Sequence, residues 1–422
     1  MGRWLAGLVA LCLASPVAAQ EFFTLDGHGG PIRQIAVAPD GRIATASFDN
    51  SVGLWSDKVP HWYEGHAAAV NAVLFARGAL FSGGDDFTLR RWPDGAEVGR
   101  HDGKVVALAA LPGAIASASW DGTIGLWPLD GSAPSRLTGH QGPVNALVLR
   151  DDGALLSAST DGSIRAWDVA TGQETARLVR DGFGINALVL DPAGAWLAYG
   201  AADGTTRVID PETGAAIADF TADRRPILAL AVSPDGSRLA VGDGHGYIMV
   251  IDTLAWTVAH DFRATASGPI WALAFSTDGH HILAGGLENR VYGWPLADLG
   301  DQVPMSGAPR DFLRAPETME NGERQFMRKC SICHDLRGTG SRRAGPSLAG
   351  LFGRRAGALA GYPYSDILDG SDIVWNDNTI DQLFDIGPDH YIPGSKMPMQ
   401  RITNPQDRAD LIGFLRRATA PE

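Results

Sequence analysis

The chain has 422 residues, of which 45% are hydrophobic and 20% charged, with a formal net charge of −13. That length exceeds what one hydrophobic core sustains, so two domains are expected, both with ample apolar content. Residues 1–316 carry 34 acidic and 22 basic side chains and residues 317–422 carry 14 and 13, a balance that argues against nucleic acid and anionic lipid as partners, because both demand a basic surface.

The only long apolar run is Trp4 to Ala19, which follows the basic Arg3 and ends in Val17-Ala18-Ala19. A charged start, a short apolar stretch and a small-residue end form the pattern of a cleaved secretory leader, expected over residues 1–19, and the run is short for a membrane span. Export to the periplasm without an integral span is the expectation. Cys12 leaves with the leader, so Cys330 and Cys333 are the cysteines of the mature chain.

From residue 20 to about residue 298 the chain repeats itself. SFDNSVGLW ending at Trp55, GDDFTLRRW at Trp92, SWDGTIGLW at Trp127 and STDGSIRAW at Trp167 each place an acidic residue six positions before tryptophan. Weaker copies end at Ile209, Ile251 and Trp294, and the end points step by 37, 35, 40, 42, 42 and 43 residues. Short apolar strands such as VNALVLR, broken by DG and PDG turns, fill each unit, so the period predicts seven blades of a β-propeller.

These units resemble the WD40 family. Gly27-His28, Gly65-His66 and Gly139-His140 match its glycine-histidine pair, with His101 in the corresponding place of the third unit. The resemblance implies a buried network of histidine, serine, aspartate and tryptophan in each blade. It is expected as His28, Ser47, Asp49 and Trp55, as His101, Ser119, Asp121 and Trp127, and as His140, Ser159, Asp161 and Trp167. The second unit has Gly84 at the expected serine position, and units five to seven have Asp181, Asp223 and Ala266 in place of the histidine, so those last three blades are expected to be the looser half. Recurrence once per blade marks the His-Asp pairs as structural, and no catalytic residue is assigned. The strand EFFTL ahead of the first unit is expected to complete the last blade and leave no open sheet edge. The usual role of such a propeller is a platform for protein contact.

Residues 299–316 are rich in proline without apolar periodicity and are expected to link this unit to a second domain, residues 317–422. A helix starting near Thr318 should lead directly into Cys330-Ser331-Ile332-Cys333-His334. Two cysteines two residues apart, followed at once by histidine, have the spacing for covalent haem attachment, with zinc, disulfide or redox-pair readings as alternatives to the isolated pentapeptide. Zinc would need two further ligands at finger-like spacing, and the chain has no second such cysteine pair.

From Gly322 onward the chain resembles an all-α class I cytochrome c of the mitochondrial and bacterial type. Gly322 and Phe326 match the N-terminal helix face, and Leu411 and Phe414 the C-terminal helix that crosses it. The resemblance implies one covalently bound haem c, with Cys330 and Cys333 as attachment points and His334 as an iron ligand. It also implies a carbonyl of Pro346 that accepts from the far nitrogen of His334, and Arg354, Tyr364 and Trp375 around the propionates. The loop YIPGSKMP supplies Ser395 as a cofactor-binding position and Met397 as the sixth ligand, with His390 and Met399 as alternatives. Arg355 is expected in solvent. Two departures stand out: Leu383 or Phe384 replaces a tyrosine near the methionine sulfur, and Asp389 replaces a lysine of the haem edge, where Lys329 and Lys396 remain.

Histidine and methionine together fill both axial positions and leave no open site for substrate. The expected function is one-electron transfer, with the propeller docking a redox partner. The alternatives are an oxidoreductase whose propeller binds substrate or a second cofactor and feeds electrons to the haem, and a scaffold in which haem is a structural staple.

Overall fold

The computed structural model describes residues 21–180, 183–221, 226–299, 319–331, 334–338, 345–362, 364–365, 367–368, 371–392, 397 and 402–420. The expected leader, and all but the first residue of the expected linker, lie outside these. Asp181, Asp223, Cys333, Ser395 and Met399 do so as well.

Seven four-stranded antiparallel sheets form the propeller, six of them built from consecutive strands. The seventh takes its outermost strand from the start of the chain: Phe23–Asp26 pairs with Arg290–Pro295, in register Phe23 to Gly293 and Asp26 to Arg290. The ring therefore closes as the EFFTL strand predicted, and the sheet edge at each end of the repeat array is satisfied by the other.

The burial pattern explains why the strands read as they do. In the fourth blade the third strand, Ser163–Asp168, is buried on both faces, whereas the fourth, Gln173–Arg180, is largely exposed. Blades stack face to face, so inner strands lack the polar-apolar alternation that a half-exposed sheet would show. First strands of neighbouring blades contact one another all round the ring and so line the central axis.

Packing between blades follows one repeated device. The first residue of each first strand is a fully or almost fully buried valine or isoleucine: Ile32, Val70, Val105, Val144, Ile185, Ile227 and Ile270. It presses on a second-strand position of the preceding blade that is alanine or glycine. Where that position is glycine there is no room for more: a Cβ on Gly83 would lie 2.4 Å from Val105, on Gly200 2.3 Å from Ile227, and on Gly285 2.7 Å from Ile32. The last of these contacts seals the first blade against the seventh. Each such aliphatic side chain contributes about 1.5–3 kcal/mol on burial.

The polar networks form, but with a different hydroxyl. In the fourth blade His140 Nδ1 lies 2.8 Å from Asp161, His140 Nε2 lies 2.7 Å from Ser157 Oγ, and Trp167 Nε1 donates to that same oxygen at 2.8 Å. Corresponding bonds join His101 and Trp127 to Ser117, His66 and Trp92 to Ser82, and His28 and Trp55 to Thr45. The expected Ser47, Ser119 and Ser159 instead accept the backbone N–H of the turn aspartates. The second blade's histidine-tryptophan network is therefore complete through Ser82, and Gly84 lacks only the hydroxyl that accepts the turn aspartate N–H in the other three blades.

In blades five and six the tryptophan position is held by the buried Ile209 and Ile251. Blade seven substitutes another polar set, in which the Tyr292 hydroxyl and Ser267 donate to the buried Glu288 while Trp294 donates to the Ala264 carbonyl. The apolar core continues through all three.

The C-terminal domain is helical. Its described helices are α1 (Asn321–Lys329), α2 (Asp377–Ile386), α3 (Pro388–Tyr391) and α4 (Pro405–Ala418). Helix α1 begins three residues later than expected, because Glu320 is still extended at ψ 152°. Asn376 and Thr379 form a reciprocal capping box on α2, and Asn404 caps α4 ahead of a proline suited to the first turn. Helices α1 and α4 cross at Gly322, where a Cβ would fall 2.0 Å from the Asp410 carbonyl, and the Phe326 and Phe414 rings meet at 5.6 Å. Arg408, buried on α4, ties in α2 through Asp381 at 2.7 Å and Asp385 at 3.0 Å.

Candidate functional site

The CSICH motif begins where α1 ends. Cys330, the C-cap, still donates its N–H to Phe326 at 2.8 Å, and the His334 N–H reaches back to the Cys330 carbonyl at 2.9 Å. This tight turn follows directly from the end of α1, and Cys330 is buried against the domain core.

His334 is fixed from two sides. Its Nδ1 lies 2.7 Å from the Pro346 carbonyl, an acceptor, so Nδ1 carries the proton and Nε2 keeps its lone pair for a metal. The ring lies on Gly345, where a Cβ would sit 2.4 Å from Cε1 and 2.7 Å from both ring nitrogens. Only a residue without a side chain leaves that space.

Asp335 was not singled out from the sequence, yet it joins the two halves of this arrangement. Its carboxylate accepts from the Gly338 N–H at 2.6 Å, the Arg337 N–H at 3.1 Å and Ser347 Oγ at 2.9 Å, while its carbonyl accepts from the Leu348 N–H. The signal was present as an Asp-x-x-Gly turn directly after the histidine, with Gly338 at φ 65°.

Arg354 and Trp375 are neighbours through paired main chain: the Gly353 N–H donates to the Trp375 carbonyl at 2.8 Å and the Trp375 N–H to the Arg354 carbonyl at 3.0 Å. The Arg354 guanidinium is spent partly on its own loop, donating to the carbonyls of Ala349 at 2.8 Å and Ser347 at 2.7 Å. Burial lowers its pKa, and the nearby Tyr364 opposes that shift. The Tyr364 hydroxyl is itself pushed up by burial, against the influence of Arg354. Arg355, in contrast, is a surface residue paired with the fully exposed Asp372.

Met397 is partly buried and packs on the same core as Trp375, Phe352 and Tyr391. Leu383 and Phe384 are both buried in that core, and Tyr391, whose pKa burial raises, packs against it. His390 is exposed.

The Cytochrome c family model matches residues 319–419. The domain is 40% identical over 105 residues to cytochrome c of Sesamum indicum, a match covering 25% of this chain and 94% of the relative. It is 41% identical over 105 residues to that of Gossypium barbadense, with the same coverage, and 38% identical over 110 residues to that of Chlamydomonas reinhardtii, covering 26% of this chain and 97% of the relative. The C-terminal domain belongs to the cytochrome c family.

Covalently bound haem c, with its iron, follows from that membership. The residues present fit it: an imidazole with its proton turned to a carbonyl, a bare glycine beneath the ring, and a buried cysteine four residues before the histidine. The WD domain, G-beta repeat model matches residues 19–56, 131–168, 214–252 and 256–294, within the seven-bladed ring. The chain is therefore a WD40 propeller followed by a cytochrome c domain. Haem-based electron transfer is the chemistry of the second, and protein contact the common use of the first.

Proposed function

We propose that this protein is an exported one-electron carrier in which His334 and Met397 fill the two axial positions of the haem iron and the propeller docks a redox partner. The observation that carries this reading is the 2.7 Å bond from His334 Nδ1 to the Pro346 carbonyl, which places the ring proton on Nδ1 and the imidazole lone pair on Nε2. Haem c, when bound, supplies a reversible ferrous-ferric couple. With haem c bound, His334 and Met397 would hold the iron, and a thioether beside an imidazole would favour the ferrous state and raise the potential.

What the chain itself contributes is rigidity. Pro346 and Gly345 hold the imidazole in one plane, Asp335 fixes the loop that presents them, and Met397 rests on the apolar core. Little need rearrange when an electron arrives. Residues 1–19 support export through their leader pattern, and no helix of the described residues is long and apolar enough to cross a membrane.

The test is an absorption spectrum and carbon monoxide titration of the purified reduced protein, with cell fractionation. One haem per chain, a methionine-ligation band, no carbon monoxide adduct and recovery in the periplasmic fraction are expected. Ready binding of carbon monoxide by a five-coordinate iron would overturn the ligand assignment, and recovery in the cytoplasm would overturn export.

A further inference from the structure

All seven first strands carry a register shift at their second residue, so each of these residues stands at the same end of the ring, beside the turn that follows the second strand. Because the first strands line the axis, these positions surround the mouth of the central channel. In the first blade the residue is Arg33, in the seventh Trp271, and the adjoining turn of the first blade supplies Phe48.

These three meet from opposite ends of the repeat array. The Arg33 guanidinium carbon lies 5.9 Å from the Phe48 ring centre and 5.3 Å from that of Trp271, and the two rings are 5.8 Å apart. The cation therefore rests against both aromatic faces at once. Among the described residues its N–H groups have no hydrogen bond or ion pair. The carboxylate that acts on it electrostatically is Asp85, and that group is held by Lys104 Nζ at 2.7 Å and by Asn71 Nδ2 at 2.7 Å. Burial lowers the Arg33 pKa, which marks a cation whose water has been partly stripped without replacement.

A guanidinium whose faces are covered by aromatic rings keeps its planar fork of donors for a carboxylate. Leu287 in the seventh blade and Trp120 in the third, which is 48% exposed with Lys104 Nζ 5.2 Å from its ring centre, hold the same turn position as Phe48. A polyanion is disfavoured by the net charge of −13, whereas a single carboxylate is not. We infer that the channel mouth is a docking site for a protein partner that inserts one Asp or Glu side chain, flanked by an apolar residue, against Arg33, Phe48 and Trp271. This rests on the reading of the propeller as a docking platform and names the chemistry of what docks.

The test uses the full-length, haem-loaded protein. Random linear peptides displayed on phage are selected against it, and enriched peptides are synthesised with their acidic residue intact or replaced by its amide. The enriched peptides should share an Asp or Glu beside an apolar residue. The amide forms should bind about ten- to a hundredfold more weakly, and Arg33→Gln should lose the same factor and no longer tell acid from amide. Phe48→Leu, which keeps the charge, should weaken binding less. Because Arg33 is unpaired, Arg33→Leu should leave the thermal midpoint unchanged or raised; a large fall would make the residue structural and overturn the site. Peptides indifferent to Arg33→Gln would overturn the site but leave the platform reading standing, whereas no enrichment at all would sink both. Displacement of the peptide by acetate or inorganic phosphate at matching concentration would also overturn it, by assigning a small-anion site.

Discussion

Gly345→Ala isolates the support of the iron-binding imidazole. The backbone at Gly345 is outside the left-handed region, so alanine adds no conformational strain and the whole effect is crowding. The new methyl would start 2.4 Å from His334 Cε1, and ordinary contact begins at 3.4 Å, so ring and loop must separate by about 1 Å. Overpacking of this kind costs about 1–3 kcal/mol. Losing the 2.7 Å bond to Pro346 adds about 1 kcal/mol. At about 4–8 °C per kcal/mol for a domain near a hundred residues, a total of about 3 kcal/mol lowers the haem domain's thermal midpoint by roughly 12–24 °C. Weakening that bond also makes the imidazole a poorer donor to ferric iron, so the reduction potential should move positive. Thermal melts followed in the haem absorption, together with a redox titration, measure both. A variant with the wild-type potential and a midpoint within about 2 °C would refute the argument that Gly345 and Pro346 hold the ring.

Three further outcomes are expected. Ser157→Ala removes the buried hydroxyl that donates to His140 Nε2 and accepts from Trp167 Nε1–H, and should cost about 2–5 kcal/mol in chemical denaturation, against about 1 kcal/mol for Ser159→Ala; equal costs would return the network to the expected serine. Gly285→Ala drives a methyl into Ile32 at the ring closure and should cost about 1–3 kcal/mol, read as a lowered denaturation midpoint of the propeller with the haem spectrum unchanged. Acid should weaken the propeller in two windows. Burial lowers the pKa of His101 and His140, so stability present above the unfolded histidine pKa falls as pH drops below about 6.5. Burial alone would raise the Asp49 pKa, but His28, Ser51 and the Gly29 N–H outweigh it and bring it to about 2, so roughly 2 kcal/mol present above pH 4 is lost as pH falls toward that value. Denaturation midpoints across pH that stay flat between pH 7 and 3 would contradict both.

Much of this was legible because it is local. CSICH carries its meaning in five consecutive residues. The blade period is also local, since each unit repeats the same strand and turn chemistry and a count of end points yields the ring. The pairing of Pro346 with His334 could be expected because a resemblance spans the whole domain in order.

What the sequence left undecided needed contacts between distant residues. Ser157 and Ser159 lie two apart on one strand and point to the same face, so periodicity cannot say which meets Trp167. The register does: Ser157 pairs with Arg165 on the tryptophan's strand, whereas Ser159 pairs with Val144 at the strand end and turns to the aspartate loop. Gly345 reads as one glycine among many until the His334 ring is found lying on it. Arg33 and Trp271 belong to the first and last repeats, and only closure of the ring brings them together, because the propeller returns the end of the chain to its beginning. Local chemistry determined the elements and the haem motif. Which side chains share a space was decided by strand register and ring closure, which depend on the whole chain at once.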